Sequence, residues 1–447
     1  MPDNQTKSPL PSIYVHTVGC AKNLVDSEML LGLMKGKARL VESGEDASLI
    51  VVNTCGFIDE AKTESIDAVM EAVQLKADDP ARRVYVMGCL SQRYREQIQS
   101  EIPELDGVYG IGEFKAILRD TGLDGSTPLP AELEIFERRE LLSPGHSAYL
   151  RISDGCNQHC TYCSIPSMRG RMVSRPLDDV VHEAFSLARR GVQELNVIAQ
   201  EISSYGEDLG ANRICELLRR LNDVPVPWIR LLYSHPPKVD RAFGETIAAC
   251  DRILPWLDFP VEHVSGEMLK KMARRGDAAS LKATMRMLRE LNPGMVIRTS
   301  IIVGFPGEQE RHVQELLEFM EDCPFDRLGV FCYSPEENTP SVNWPDQVPR
   351  ELAEERKARV MEKQMELSLA ANQALVGSVE RILIDEVDPA SGISEGRTWR
   401  DALEIDNTVE LRGVRQPGTF VDCRIVDASE YDLIAELLPT EGKGARG

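Results

Sequence analysis

Short apolar runs alternate with longer amphipathic stretches through the first 120 residues. Ile13–Val18, Leu49–Asn53 and Val84–Gly88, with a weaker run near Val108–Ile111, predict strands, while Asp26–Lys35 and Glu60–Lys76 predict helices. A βαβα rhythm of this kind predicts a parallel sheet covered by helices. The next stretch, Gly122–Pro144, is richer in Gly, Pro, Ser and Glu and reads as a linker.

A second β/α series begins at Ala148. Its strand-like runs are Ala148–Ser153, Glu194–Ala199, Trp228–Tyr233, Leu257–Val261, Val296–Val303 and Arg327–Tyr333. Helical patterns lie between them. Asp178–Arg190 puts Val181, Ala184, Leu187 and Ala188 on one face and is followed by Gly191, and Ser280–Leu291 stops at Asn292-Pro293. Six such units predict a partial (β/α)6 barrel, since a full one has eight. Glu351–Leu375 is a charged, Pro-free helical run that serves as a connector. Beyond Gly377, Val379–Asp385, Asp401–Ile405, Thr408–Leu411, Thr419–Ala428 and Asp432–Leu437 predict a small antiparallel barrel. The fold class is therefore α/β. An N-terminal parallel-sheet domain spans residues 1–135, a central partial barrel 143–373, and a C-terminal β-barrel 374–440. No internal repeat or low-complexity tract interrupts them.

Composition narrows the class. At 447 residues the chain is too long for one core, and 42% hydrophobic residues suit a globular protein. No apolar run is long enough to span a membrane. The start, MPDNQTKSPLPS, has no basic segment followed by an apolar core, so no secretory signal is expected and the compartment is read as cytoplasmic. Thiols stay reduced there, so patterned cysteines among the eleven present point to metal or catalysis before disulfides. Cys215, Cys250, Cys323 and Cys423 read as small buried hydrophobes. The net charge of −21 argues against a broad polyanion surface and favours a basic partner.

The strongest chemistry lies just past the first strand of the second series. Asp154-Gly155-Cys156-Asn157-Gln158-His159-Cys160-Thr161-Tyr162-Cys163 places three cysteines at C-x3-C-x2-C spacing. Three thiolates in one short loop can hold an iron–sulfur cluster. A 4Fe-4S cube on three cysteines keeps one iron without a protein ligand, open to a molecule that reacts. The alternative is a structural zinc, which wants four closed ligands; His159 would have to be the fourth, and it abuts Cys160.

A second triad is dispersed. Cys20, Cys55 and Cys89 each follow a predicted strand of the first domain, at intervals of about one β/α unit, and each has a glycine beside it. Parallel pairing puts all three at the carboxyl edge of the sheet, where open α/β sheets bind ligands. The alternative is three unrelated cysteines at strand ends.

The motif C-x3-C-x-aromatic-C resembles the signature of the radical S-adenosylmethionine superfamily. The resemblance implies a 4Fe-4S cluster on Cys156, Cys160 and Cys163, chelation of its fourth iron by the cofactor's amino and carboxylate groups, and reductive cleavage to methionine and a 5′-deoxyadenosyl radical, with Tyr162 near the adenine. Two triads together resemble the methylthiotransferase family over nearly the whole chain. Matching pieces include Ile165-Pro166-Ser167-Met168-Arg169-Gly170-Arg171, Ser174-Arg175, Ile198-Ala199-Gln200, Arg274-Arg275-Gly276 and Ser300-Ile301-Ile302-Val303-Gly304-Phe305-Pro306-Gly307-Glu308. The resemblance implies a second 4Fe-4S cluster on Cys20, Cys55 and Cys89, where sulfur is bound and methylated before transfer, and a terminal barrel of TRAM type. Gln200, Glu201, Arg298 and Ser300, at or near strand ends, are candidate cofactor contacts. Arg169, Arg171 and Arg175 are candidates to pair with a carboxylate of cofactor or substrate.

Two branches of that family compete, one acting on adenosine in tRNA and the RimO type on an aspartate β-carbon of ribosomal protein S12. Asp326–Ser334 and Arg397–Asp406 look like the second. From Leu375 to Thr440, 14 Asp and Glu stand against 6 Arg and no Lys, which suits a basic ribosomal protein better than RNA; alternatively the barrel only covers the central domain. Departures from the family pattern are Glu201 for aspartate, Ser203-Ser204 for threonines, Glu262 for glutamine and Cys332 for threonine. Arg298 is a candidate partner for Glu262. The expected partners are S12 and a reduced electron donor such as a flavodoxin or ferredoxin, with no membrane and no sequence-specific nucleic acid. A non-catalytic two-cluster electron carrier is the competing class.

Overall fold

The computed structural model describes residues 9–123 and 130–438. The chain forms two compact units, one within residues 1–143, 154–173 and 334–342, the other within 144–153, 174–333 and 343–447. The loop carrying Cys156, Cys160 and Cys163, placed by sequence in the middle domain, thus clusters with the N-terminal sheet.

In the first unit β1 (Ser12–Thr17), β2 (Arg39–Leu40), β3 (Leu49–Thr54), β4 (Arg83–Gly88) and β5 (Gly107–Val108) form a parallel sheet in the order β2-β1-β3-β4-β5. β3 is buried at every position, as its unbroken apolar run requires of a strand covered on both faces. The helices are α1 (Ala21–Met34), α2 (Asp59–Asp78), α3 (Cys89–Glu101), α4 (Phe114–Asp120), α5 (Glu132–Arg138) and the short α6 (Ile165–Arg169). Ile50, Val52, Val84 and Val86 of the sheet pack with Val69 and Ala72 of α2.

Two expectations need correction here. The Gly122–Pro144 linker contains α5, whose Ile135 and Phe136 are buried, and Arg139 reaches Glu28 of α1 at 2.8 Å with both side chains out of water. A buried ion pair, invisible to a composition count, holds this segment; its residues 124–129 lie outside the described residues. Helix α1 starts five residues before the expected Asp26, with Cys20 at its N-cap. Its first turns bury Lys22, Asn23, Asp26 and Ser27, polar residues that hide its amphipathic period.

The second unit starts with β6 (Ser147–Arg151); the two-residue β7 (Ser153–Asp154) and β8 (Val173–Ser174) mark its boundary. It continues with α7 (Leu177–Arg189), β9 (Glu194–Ile198), α8 (Ile214–Leu221), β10 (Trp228–Leu231), α9 (Arg241–Ala248), β11 (Ile253–Asp258), α10 (Gly266–Lys271), α11 (Ala278–Leu291), β12 (Val296–Val303), α12 (Glu310–Asp322), β13 (Arg327–Cys332) and α13 (Arg350–Gln373). The six long strands form one open parallel sheet, β13-β12-β11-β10-β9-β6. β11 begins four residues before the expected Leu257. Pro255 made its first half look unlike a strand, and the pairing with β10 shifts register there.

Strand alternation gives this sheet one apolar and one polar face. Ser147, Glu194, Asn196, Arg230, Asp258, Arg298 and Arg327 share the polar face by register. After α13, β14 (Val379–Asp388), β15 (Ile393–Arg397), β16 (Val409–Arg412), β17 (Phe420–Ala428) and β18 (Leu433–Leu437) close a barrel around Ile382, Ile384, Val409, Leu411 and Ile425. The expected strand Asp401–Ile405 is instead a turn. Asp401 within it and Asp406 just after it face the polar side of the large sheet, Asp401 pairing with Arg327 at 2.7 Å and Asp406 with Arg298 at 3.3 Å.

Arg397 is the hub of this junction. It reaches Glu194 at 2.8 Å and Asp385 at 2.7 Å, and His146 completes the set on Asp385 at 2.8 Å. Arg230 donates to Glu194 at 2.9 Å and stacks 4.7 Å over Trp256. Burial pushes the Glu194 carboxyl up, but the guanidiniums of Arg397 and Arg230 outweigh it and hold it at about 2. Removing one partner of a buried pair leaves an uncompensated charge. Arg397→Met is therefore expected to destabilise the fold by about 3–5 kcal/mol, measured by denaturant unfolding. Because the Glu194 pKa is lowered on folding, its contribution is full above the ordinary glutamate range and fades as pH falls toward 2. A pH series of unfolding midpoints should show that acid loss flattened in Glu194→Gln.

Candidate cluster and cofactor site

The parallel register decides where the first triad meets. Thr17 pairs with Asn53 and Thr54 with Gly88, so Cys20, Cys55 and Cys89 leave three adjacent strands at the same edge. Gly19 has φ +109°, and a Cβ there would lie 2.7 Å from the Cβ of Cys55, so glycine lets the two cysteine loops close on each other. Asn23 stands at the centre. The Cys20 and Cys89 thiols lie 3.4 and 3.9 Å from its Oδ1, while its Nδ2 donates to Asn53 Oδ1 at 3.2 Å and to the Thr54 carbonyl at 3.0 Å. Ser65 holds Cys55 from the other side, accepting from its N–H at 2.9 Å and donating to its carbonyl at 3.0 Å.

Charge separates the three thiols. For Cys20 burial acts upward, yet the charges of Lys22 and Arg169 and the N–H groups of Asn23 and Lys22 at the start of α1 bring its pKa below the ordinary value. Burial pushes Cys55 up and Cys89 to about 12. Thiolate ligands in so buried a place need cationic compensation, which a cluster's irons and the neighbouring guanidinium supply.

The second triad lies in the loop before α6. The Cys163 N–H donates to the Cys160 carbonyl at 3.1 Å, and the Cys156 N–H to the Gly170 carbonyl at 3.1 Å. Gly155 has φ +73°, and a Cβ there would collide with the Arg171 carbonyl. Ser341 donates twice to the Thr161 carbonyl, from N–H at 3.0 Å and from Oγ at 2.8 Å. All three cysteines and Tyr162 are half-buried, whereas His159 is exposed. Among the described residues no three metal-binding side chains sit at the spacing of a single ion. A cubane binds each thiolate through a different iron and asks for a wider set.

The other candidates lie in the second unit. Gln200, just beyond β9, has both amide atoms buried without a hydrogen-bond partner. Glu201 accepts from the Ser203 N–H at 2.6 Å and from the Ser203 hydroxyl. Arg298 and Ser300 share the polar face of β12; Arg298 is held by Asp258 at 3.0 Å and by Asp406. Arg274 lies 4.0 Å from Glu262, and the Glu262 backbone bridges Ser300 and Ile302 at φ +65°. Arg175 binds Glu183 at 2.5 Å and the Arg151 carbonyl at 2.7 Å, a scaffold role. Arg171 is exposed. Of the remaining cysteines, Cys250, Cys323 and Cys423 are buried and Cys215 half-buried.

Three family models match the chain: Uncharacterized protein family UPF0004 at residues 12–110, the Radical SAM superfamily at 150–320 and the TRAM domain at 376–438. A protein of Chloroherpeton thalassium, described as ribosomal protein uS12 methylthiotransferase RimO, is 41% identical over 435 residues, covering 95% of this chain and 98% of the relative. One of Geotalea uraniireducens with the same description is 41% identical over 436 residues, covering 95% and 97%. The chain belongs to the RimO family of ribosomal protein uS12 methylthiotransferases. Among solved structures, the radical S-adenosylmethionine methyltransferase TsrM from Kitasatospora setae, with cobalamin and a [4Fe-4S] cluster bound, is 16% identical with a TM-score of 0.54, covering 75% of this chain and 77% of that one, and shares the fold.

In this RimO-family chain Asn23, Asn53 and Ser65 contact one another or the first triad, and Asp26 follows on the same helix; motif reading passed all four over. Their signal is the spacing of Asn23, Asp26 and Ser27, polar side chains on one buried helix face. Gly19→Ala is expected to drive Cys55 away and cost about 1–3 kcal/mol. Iron content of the purified variant should fall, with the second triad's share retained.

Proposed function

We propose that this chain transfers a methylthio group to the β-carbon of an aspartate of ribosomal protein S12. The observation that carries the reading is the convergence of Cys20, Cys55 and Cys89 around Asn23, in a chain 41% identical to a uS12 methylthiotransferase over 95% of its length. Cys20, Cys55 and Cys89 hold one 4Fe-4S cluster; Cys156, Cys160 and Cys163 hold the other, beside S-adenosylmethionine. When bound, these groups supply radical activation of the substrate carbon and the sulfur and methyl that are transferred.

The chain's own residues bind, orient and shield. Asn23, Ser65 and the α1 N-terminus hold the first triad in place, with Cys55 and Cys89 buried and Cys20 half-buried. Gln200, with an unpartnered buried amide, is the best supported cofactor contact in the second unit; Tyr162, Glu201, Arg298 and Ser300 complete the assigned set. On the terminal barrel Glu386, Glu395, Glu410, Asp427 and Asp432 are exposed on neighbouring strands. Partial burial, then the charges of Glu386 and Asp432, push the Glu395 carboxyl up. That face is a docking surface for a basic protein, while Asp385, Asp401 and Asp406 are taken up by arginines. The exposed arginines of this barrel, Arg381, Arg412 and Arg424, are outnumbered by exposed carboxylates, which speaks against the tRNA reading. A one-electron donor of flavodoxin or ferredoxin class and a cytoplasmic location complete the assignment; among the described residues no helix is long and apolar enough to cross a membrane.

Reduced, reconstituted enzyme given S-adenosylmethionine, sulfide and an S12 peptide bearing the aspartate should add one methylthio group to that residue by mass spectrometry. Modification of tRNA adenosine instead of the peptide would refute the assignment. Cys156→Ala should abolish 5′-deoxyadenosine formation, whereas Cys20→Ala should retain it and lose methylthio transfer. Replacing Glu395 and Glu410 together by Lys should slow S12 capture by about tenfold or more at low ionic strength, with 5′-deoxyadenosine formation unchanged.

A further inference from the structure

Arg169 was read from sequence as a partner for a cofactor or substrate carboxylate. The structure gives it other partners. Its side chain is 1% exposed, and α6, which it ends, packs against α3, which Cys89 begins. Nη2 donates to Asp26 Oδ2 at 2.9 Å, and Nη1 to the two carboxylate oxygens of Asp154 at 3.0 and 3.2 Å. Asp26 lies six residues after Cys20 on α1, and Asp154 two residues before Cys156. One guanidinium therefore ties together the loops of both triads. Its charge also bears on Cys20, Cys55 and Cys89, most closely on Cys89.

The two carboxylates aim the cation without removing it. Asp154 is 32% exposed, so water screens it, whereas Asp26 is 3% exposed and fixes the plane of the fork. A buried cation next to a cluster stabilises whichever of its states carries the extra negative charge, because net charge and hydrogen bonds to the sulfurs set cluster potentials.

We propose that Arg169 is a positioning residue that makes the cluster of Cys20, Cys55 and Cys89 easier to reduce, by holding a fixed positive charge beside Cys89 from the segment that carries the other triad. The proposal rests on the two-cluster reading above. The step it favours is a one-electron reduction: an external one-electron reductant is oxidised, and no bond is made or broken.

The test uses the full chain with Cys156, Cys160 and Cys163 all replaced by Ala, so that only the first cluster remains. Its midpoint potential is read by EPR during titration with dithionite, with Arg169, Arg169→Lys and Arg169→Gln. Arg169→Gln is expected to lower the reduced-to-oxidised ratio at fixed potential by tenfold or more, a shift of about 59 mV or more to the negative for one electron. Arg169→Lys, which keeps the charge, is expected to shift less. An unchanged potential in Arg169→Gln at full iron content overturns the proposal, as does a Lys shift as large as the Gln shift. Should the Gln variant lose its iron, Arg169→Lys decides: a retained cluster near the parent potential supports the charge role, and loss there too marks a purely structural one. A parent chain with no 4Fe-4S signal sinks the two-cluster reading itself.

Discussion

Parallel pairing of β1, β3 and β4 is the constraint on which the first site depends. Cys20, Cys55 and Cys89 lie far apart in sequence and share no local motif; the register alone delivers them to one edge. A one-residue slip of a strand would send its cysteine loop to the opposite face. β3, buried at every position, cannot slip without exposing apolar surface on one side or burying Asn53 and Thr54 wrongly on the other. Core packing and ligand placement are thus enforced by the same hydrogen-bond ladder.

Buried charge is the second organising theme, and the two units treat it alike. In each, an arginine sits out of water between two carboxylates drawn from separate segments: Arg169 between Asp26 and Asp154, Arg397 between Glu194 and Asp385. Such pairs give modest net stability, yet losing one member is costly because the other is left bare. They act as registration devices. Arg397 fixes how β15 meets β9, and Arg298 and Arg327 repeat the arrangement on Asp406 and Asp401. The acidity of the terminal barrel therefore has two meanings. Part of it is internal glue, and part faces outward.

Strong periodicity and short-range motifs were legible in the sequence. Val296–Val303 is rich in β-branched residues and is the strand observed, and the C-x3-C-x2-C loop needed no structure to be found. Elements that break a simple pattern were not legible. Pro255 disguised the first half of β11, and Asp401–Ile405 looked like a strand although its carboxylates serve distant arginines. Arg169 and Asp26 are separated by 143 positions, and nothing local announces that they meet. Local patterning reports propensity; pairing across that distance is a property of the fold alone.

The stretch 334–342 belongs to the first unit although the whole β/α series precedes it. Its Glu336, 2% exposed, takes Lys62 at 2.9 Å and Arg93 at 2.8 Å, the former across 274 positions. During synthesis the N-terminal sheet emerges first, but this anionic keystone arrives later, after a delay on the order of tens of seconds at ordinary elongation rates. Until then two cations on α2 and α3 lack their shared buried counterion. The N-terminal unit is accordingly completed in its buried ion pairing only when the chain is nearly finished.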